Sequence, residues 1–144
     1  MAGRYGMSFA KKLVEEGDYE AAVEAATEEI DGGNLGPEIL VDRASAYELL
    51  ERYAECVADY ERAIQLDATE RVLPIDLVDD AYFSALLACA RDEAKRSVED
   101  GVRRLDAYAR TLPKGGHLHD AEQWKKRLRG ELVSTLDKTV EIEP

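Results

Sequence analysis

The sequence predicts an all-α fold, a right-handed α-solenoid of three helix-turn-helix hairpins closed by a C-terminal covering helix. Three observations predict it. The composition is rich in Ala, Leu, Glu and Arg and holds four prolines, which favours helix. Apolar residues recur at three- and four-residue steps along most of the 144 residues. The plan of Tyr53–Asp67 also repeats one found 34 residues earlier: Tyr19 stands for Tyr53, Ala22 for Cys56, Val23 for Val57, Ala26 for Tyr60 and Ile30 for Ile64. A fixed step of this length marks a helical repeat array.

The first repeat is expected over about residues 3–34. Its first helix runs from about Arg4 to Glu16, with Met7, Phe9, Ala10, Leu13 and Val14 as apolar content. Gly17 can take the left-handed conformation that ends a helix, and the Asp18 carboxylate can cap the next one. That second helix, Tyr19 to about Asp31, packs back through Tyr19, Ala22, Val23, Ala26 and Ile30, and Gly32-Gly33-Asn34 stops it.

The second repeat is expected over about residues 37–68. Pro37 suits a first helical turn, where its missing N–H costs nothing. Leu40, Ala44, Tyr47 and Leu50 face inward, Glu51-Arg52 is the turn, and Tyr53–Asp67 is the partner helix.

The fixed step then breaks. A turn at Arg91-Asp92 lies 40 residues after Glu51-Arg52, which implies about six added residues in the connection 68–73 or in a longer fifth helix. A divergent third hairpin over about residues 74–112 pairs a helix from Pro74 to Ala90 with one capped by Asp92. The first turns Leu77, Val78, Ala81, Tyr82, Ala85 and Cys89 inward, the second Ala94, Val98, Gly101, Val102, Leu105, Tyr108 and Leu112. Gly101 costs up to about 1 kcal/mol against Ala within a helix, so it marks a close helix crossing. Leu112-Pro113-Lys114-Gly115-Gly116 breaks the chain. A covering helix over about residues 119–138 follows, capped by Asp120 with Gln123 and carrying Ala121, Trp124, Leu128, Leu132 and Leu136 on one face. The whole of residues 1–144 reads as one domain.

Charge narrows the partners. The formal net charge is −12. Residues 1–72 hold 7 basic and 17 acidic side chains, a net of −10, and the remainder 12 and 14, a net of −2. The acidic half repels nucleic acid and anionic membranes and favours basic partners. No apolar run reaches the length of a membrane span, and Met1–Ser8 lacks the apolar core of a signal peptide. With Cys56 and Cys89 on the apolar faces of different helices, the expected location is the reducing cytoplasm, without a disulfide.

The residues of the two regular copies resemble the tetratricopeptide repeat, over about Gly3 to Asp67. In that family a small residue early in the second helix sits at the helix crossing, and Ala22 and Cys56 match it. The large residue four positions later is matched by Tyr60, with Ala26 in the first copy, and the next small one by Ala63, with Glu29 in the first copy. Ala10 and Ala44 match the small residue of the first helix, and Leu13 and Tyr47 the bulky one after it. The family's early tryptophan is replaced by Gly6 and Leu40, its closing proline by Asn34 and Ala68, and its turn glycine remains only as Gly17.

The resemblance implies a protein-binding module whose first helices line a concave groove. Carried residue by residue, the groove comprises Arg4, Met7, Lys11, Val14 and Glu15, then Glu38, Val41, Asp42, Ser45, Glu48 and Leu49, with Asp79 and Phe83 from the third hairpin. Members that clamp a terminal carboxylate use Lys, Asn and Arg here. Lys11 with Met7, Asp42 and Ser45 makes a poor anion site. A wall of Val14, Val41 and Leu49 beside Glu15, Glu38, Asp42 and Glu48 suits an apolar peptide or helix carrying Lys or Arg.

No catalytic motif and no cofactor-binding loop is present, so the expectation is an adaptor, scaffold or assembly factor without enzymatic activity. Self-association of the chain is the first alternative, and a metal-dependent module or enzyme using the His117/His119 loop the second. His117-Leu118-His119-Asp120 is the one cluster with the flavour of a metal site, and it is too short for the four fixed ligands zinc requires. The basic run Lys125-Lys126-Arg127-Leu128-Arg129 lies largely off the apolar stripe, where pairing with acidic neighbours is the simpler expectation.

Overall fold

The computed structural model describes residues 8–131. Among them are seven α-helices and no strand: α1 Phe9–Glu15, α2 Tyr19–Asp31, α3 Pro37–Leu49, α4 Tyr53–Glu70, α5 Ile75–Ala94, α6 Val98–Thr111 and α7 Leu118–Lys126, the last running into a π-helical turn over Arg127–Glu131. The fold is all-α and of the helical-repeat class. The contacts gather in two compact units, Met1–Val78 and Asp79–Pro144.

Helix ends follow local chemistry. The Ser8 hydroxyl accepts from the Lys11 N–H at 3.0 Å and caps the described helix α1, which starts at Phe9. Residues 4–7 and 132–138, which the sequence assigns to helix, lie outside the described residues. Asp18 caps α2 as expected, accepting from Ala21 N–H. Asp92 does not cap α6. Neither Arg91 nor Asp92 breaks a helix, so α5 runs on to Ala94 and Ser97 caps α6 by accepting from Asp100 N–H. Asp120 is also no cap. It stands in the first turn of α7, bonded to His117, which occupies the cap position.

In the first unit, α1 packs on α2, α2 on α3, α3 on α4, and α1 also touches α3. The repeat's small residues sit at these crossings: Ala10, Ala22, Ala26, Ala44, Cys56 and Ala63 are all buried. Small side chains let helix axes approach closely, and Val57, Tyr60 and Ile64 fill the space beside them. Leu13 and Tyr47, expected inward, are half-buried. The turn before each second helix needs a left-handed residue, and Gly17 (φ 85°) meets that need without strain. Glu51, its equivalent one repeat on, takes φ 59° with a full side chain.

In the second unit, the α5 stripe is Tyr82, Ala85, Leu86, Cys89 and Ala90, meeting Val102, Leu105 and Tyr108 of α6. Leu77, expected inward, is 69% exposed. It is one residue, and so about 100° of helix, away from the buried side at Val78. Gly101 is the close crossing the sequence implies: a Cβ there would lie 2.6 Å from the Ala90 carbonyl oxygen and 2.8 Å from Ala94 Cβ. Trp124 packs between two cations, with Arg91 5.0 Å and Arg127 4.9 Å from its ring centroid.

Candidate protein-binding site

The wall formed by α1 and α3 carries most of the sequence-derived groove. Lys11, Glu15, Glu38 and Leu49 are exposed, while Val14, Val41, Asp42, Ser45 and Glu48 are half-buried. Arg4 and Met7 lie outside the described residues. Because α1 touches α3, side chains at the same step of consecutive repeats can meet. Ser8 donates to Asp42 Oδ2 at 2.6 Å.

Electrostatically the wall is acidic and incompletely neutralised. Burial raises the Asp42 carboxyl above its usual range, against the lowering pull of the Ser8 hydrogen bond and the Lys11 charge. Burial alone raises Glu48. Ser45 has a role inside the fold as well: it hydrogen-bonds the Tyr60 hydroxyl, whose ionisation burial pushes up. A half-buried carboxylate beside apolar surface is a poorly solvated charge, and a cation brought in by a partner offsets that cost.

The two groove residues drawn from the third hairpin, Asp79 and Phe83, are buried. Asp79 is buried, accepting from the Tyr108 hydroxyl at 2.6 Å and from Gly116 N–H at 2.8 Å. Phe83 is buried with its ring stacked on His117, centroids 4.5 Å apart and planes at 3°. Both are buried residues of the second unit, where these contacts give them a packing role. A carboxylate at this step faces inward here because Tyr108 and the Gly115-Gly116 backbone supply donors for it.

The same geometry accounts for the histidine loop. His117 Nε2 meets Asp80 Oδ1 at 2.7 Å and Nδ1 meets Asp120 Oδ2 at 2.9 Å, so both ring nitrogens are taken up by carboxylates. Its backbone N–H donates to the Tyr108 hydroxyl at 2.9 Å. Burial works against the imidazolium, but the bonds to Asp80 and Asp120 and the Asp79 charge outweigh it and hold His117 above its usual range. His119 is exposed. Among the described residues no three His, Cys, Asp or Glu side chains are placed to hold a metal ion. The basic run is engaged in pairs: Lys125 with Asp106 and Glu122, Arg129 with Glu99.

Sequence reasoning missed two buried carboxylates of the first unit. Asp59 receives a two-pronged bond from Arg43, Nε to Oδ2 and Nη2 to Oδ1 both at 2.8 Å, while Arg43 Nη1 reaches Thr27 at 3.2 Å. This one guanidinium joins α2, α3 and α4. Asp67 Oδ1 accepts from Val72 N–H at 2.7 Å and Leu73 N–H at 3.0 Å, fastening the segment after α4. Both aspartates lie on the inward stripe with Cys56 and Ala63, and that placement was the available signal.

Helices packed in consecutive hairpins, small residues at the crossings and an acidic wall beside apolar side chains define a helical-repeat interaction module. Residues 37–69, the α3–α4 hairpin, match the tetratricopeptide repeat family. Over 98 residues, 65% of this chain, the sequence is 35% identical to the Protein SGT1 homolog of Oryza sativa subsp. japonica. The match covers 24% of that protein, so the chain spans about a quarter of the relative's length. The chain is thus a helical-repeat protein that carries a tetratricopeptide repeat at residues 37–69. As such it is a protein–protein interaction module. No helix among the described residues is long and apolar enough to cross a membrane.

Proposed function

We propose that the α1–α3 wall binds a peptide or helix that is apolar on one side and carries Lys or Arg, and that the chain serves as an adaptor or scaffold without catalysis. The observation that carries this reading is the pair of half-buried carboxylates, Asp42 and Glu48, raised by burial beside Val14, Val41 and Leu49. Apolar surface supplies affinity, and the poorly solvated charges select for a cation. Lys11 is the sole cation among the described members of this wall, which disfavours a terminal carboxylate as ligand. The three-hairpin organisation with a covering helix is part of the same reading.

A synthetic amphipathic Leu/Lys helix, with a Leu/Glu helix as control, tests it by calorimetric titration. The Leu/Lys helix is expected to bind, to lose affinity as salt rises from about 0.05 to 0.5 M, and to lose about tenfold in the Glu38→Gln/Glu48→Gln double variant. Binding indifferent to both salt and the double substitution would remove the electrostatic half of the proposal.

A further inference from the structure

We propose that the first unit also carries a self-complementary surface, in which the segment 72–77 of one chain seats in a cleft on a second copy. The described residues have six exposed large apolar side chains, and three of them, Val72, Ile75 and Leu77, fall within these six positions. The segment is held in place, with two of its N–H groups on Asp67 and Arg71 in the left-handed conformation (φ 56°). A pre-organised apolar projection loses little freedom on docking. Asp76, exposed among these side chains, pairs with no cation among the described residues.

The receiving surface is a cleft of about 230 Å³ walled by Ile30, Leu35, Leu40 and Leu66. That volume is below the roughly 300 Å³ at which small-molecule sites begin, and fits aliphatic side chains better. The Arg43–Asp59 pair in its lining is internally neutral, but Arg62 at the same cleft has no partner among the described residues. An aliphatic cleft bearing Arg62 matches an aliphatic projection bearing Asp76, neither of them paired among the described residues. The cleft takes the first half of α3 and the second half of α4, the hairpin end from which the segment 72–77 departs. Both surfaces belong to the first unit, so copies related by a two-fold axis can exchange them reciprocally and close as a dimer. The α1–α3 wall contributes neither surface, so this proposal stands apart from the peptide-binding reading.

At −12 each, two copies repel at long range, so the test belongs at about 0.15 M salt, where charges are screened beyond about 8 Å. Sedimentation equilibrium of the full chain from about 1 µM to 1 mM is expected to show mass rising towards two copies. Leu77→Asp and Arg62→Glu should each weaken association at least about tenfold without changing the thermal midpoint at low concentration. The exchange variant Arg62→Asp/Asp76→Arg should regain it. A mass of one copy throughout, or association unchanged in both single variants, overturns the proposal. So does a lowered midpoint in dilute Leu77→Asp, which would mean that the chain covers Leu77 itself.

Discussion

Ser8 and Asp42 stand 34 residues apart, at the same step of consecutive repeats, and are joined by a 2.6 Å hydrogen bond. Ser8 thereby serves two helices, accepting from Lys11 N–H to start α1 and donating to a half-buried carboxylate of α3. Ser8→Ala removes both and should cost about 1–2 kcal/mol. The Asp42 carboxyl, already raised by burial, should rise further once its donor is gone. Urea unfolding measures the first effect and carboxyl NMR titration the second.

Glu48→Gln should stabilise the isolated chain at neutral pH while weakening it for a basic partner. Burial raises the folded-state Glu48 above its unfolded value, so its contribution is fully present below the unfolded pKa of about 4.3 and is lost as pH rises through the folded one. Glutamine escapes that loss. Denaturation midpoints should favour the variant at pH 7 and converge below about pH 4. A variant no more stable at pH 7 would show that Glu48 is already well solvated.

At Glu51 the backbone takes a conformation that suits glycine. Glu51→Gly should therefore stabilise by about 0.5–1 kcal/mol despite the entropy a glycine adds to the unfolded chain, whereas Gly17→Glu should destabilise by about 1–2 kcal/mol. Opposite shifts of the two melting midpoints are the expected signature.

Truncating Asp59 leaves the Arg43 guanidinium without its carboxylate, in a site where the two side chains are 19% and 8% exposed. Asp59→Ala should cost on the order of 3 kcal/mol, and Arg43→Met/Asp59→Leu distinctly less, because that pair leaves no charge behind. Arg43→Lys should recover little, since an ammonium cannot bond both carboxylate oxygens and Thr27 together. Equal losses in the single and double variants would contradict this.

Protonation of His117 should stabilise the second unit. Its folded-state pKa lies above the unfolded value of about 6.5, so the contribution is complete below that pH and fades as pH rises through the folded pKa. The carboxylates facing it are Asp80 and Asp79 from α5 and Asp120 from α7. In His117→Gln the pH dependence of the melting midpoint between about 6 and 8 should flatten.

The repeat was legible wherever its residues answer to one physical demand. Ala10, Ala22, Ala44 and Cys56 are small because two helices cross there, and Gly101 because Ala90 and Ala94 press on it. Leu13 was read as core and is half-buried, so Leu13→Ala should fall towards or below the lower end of the usual 2–5 kcal/mol. What stayed hidden depends on partners far along the chain. Asp79 reads as a surface acid until Tyr108 and Gly116 stand over it, and Asp59 until Arg43 does. Phe83 was placed in the groove by counting from the earlier repeats, a count that fails once the spacing changes. Only the α1–α3 wall keeps the sequence-derived set together, and it does so because both of its helices still obey the 34-residue step.

The change of spacing has a geometry of its own. The second helices of the first two hairpins begin at Tyr19 and Tyr53, but the next such helix begins at Val98, 45 residues on instead of 34. The excess is eleven residues, not the six that a turn at Arg91-Asp92 implied, and it enters as length in α4 and α5. Eleven residues make about three α-helical turns. They are shared unevenly, with α4 five residues longer than α2 and α5 seven longer than α3, so the count between repeats is lost. In the second hairpin α4, with 18 residues to the 13 of its packing partner α3, overhangs that partner by about 7 Å, a ledge on which the segment after it is carried.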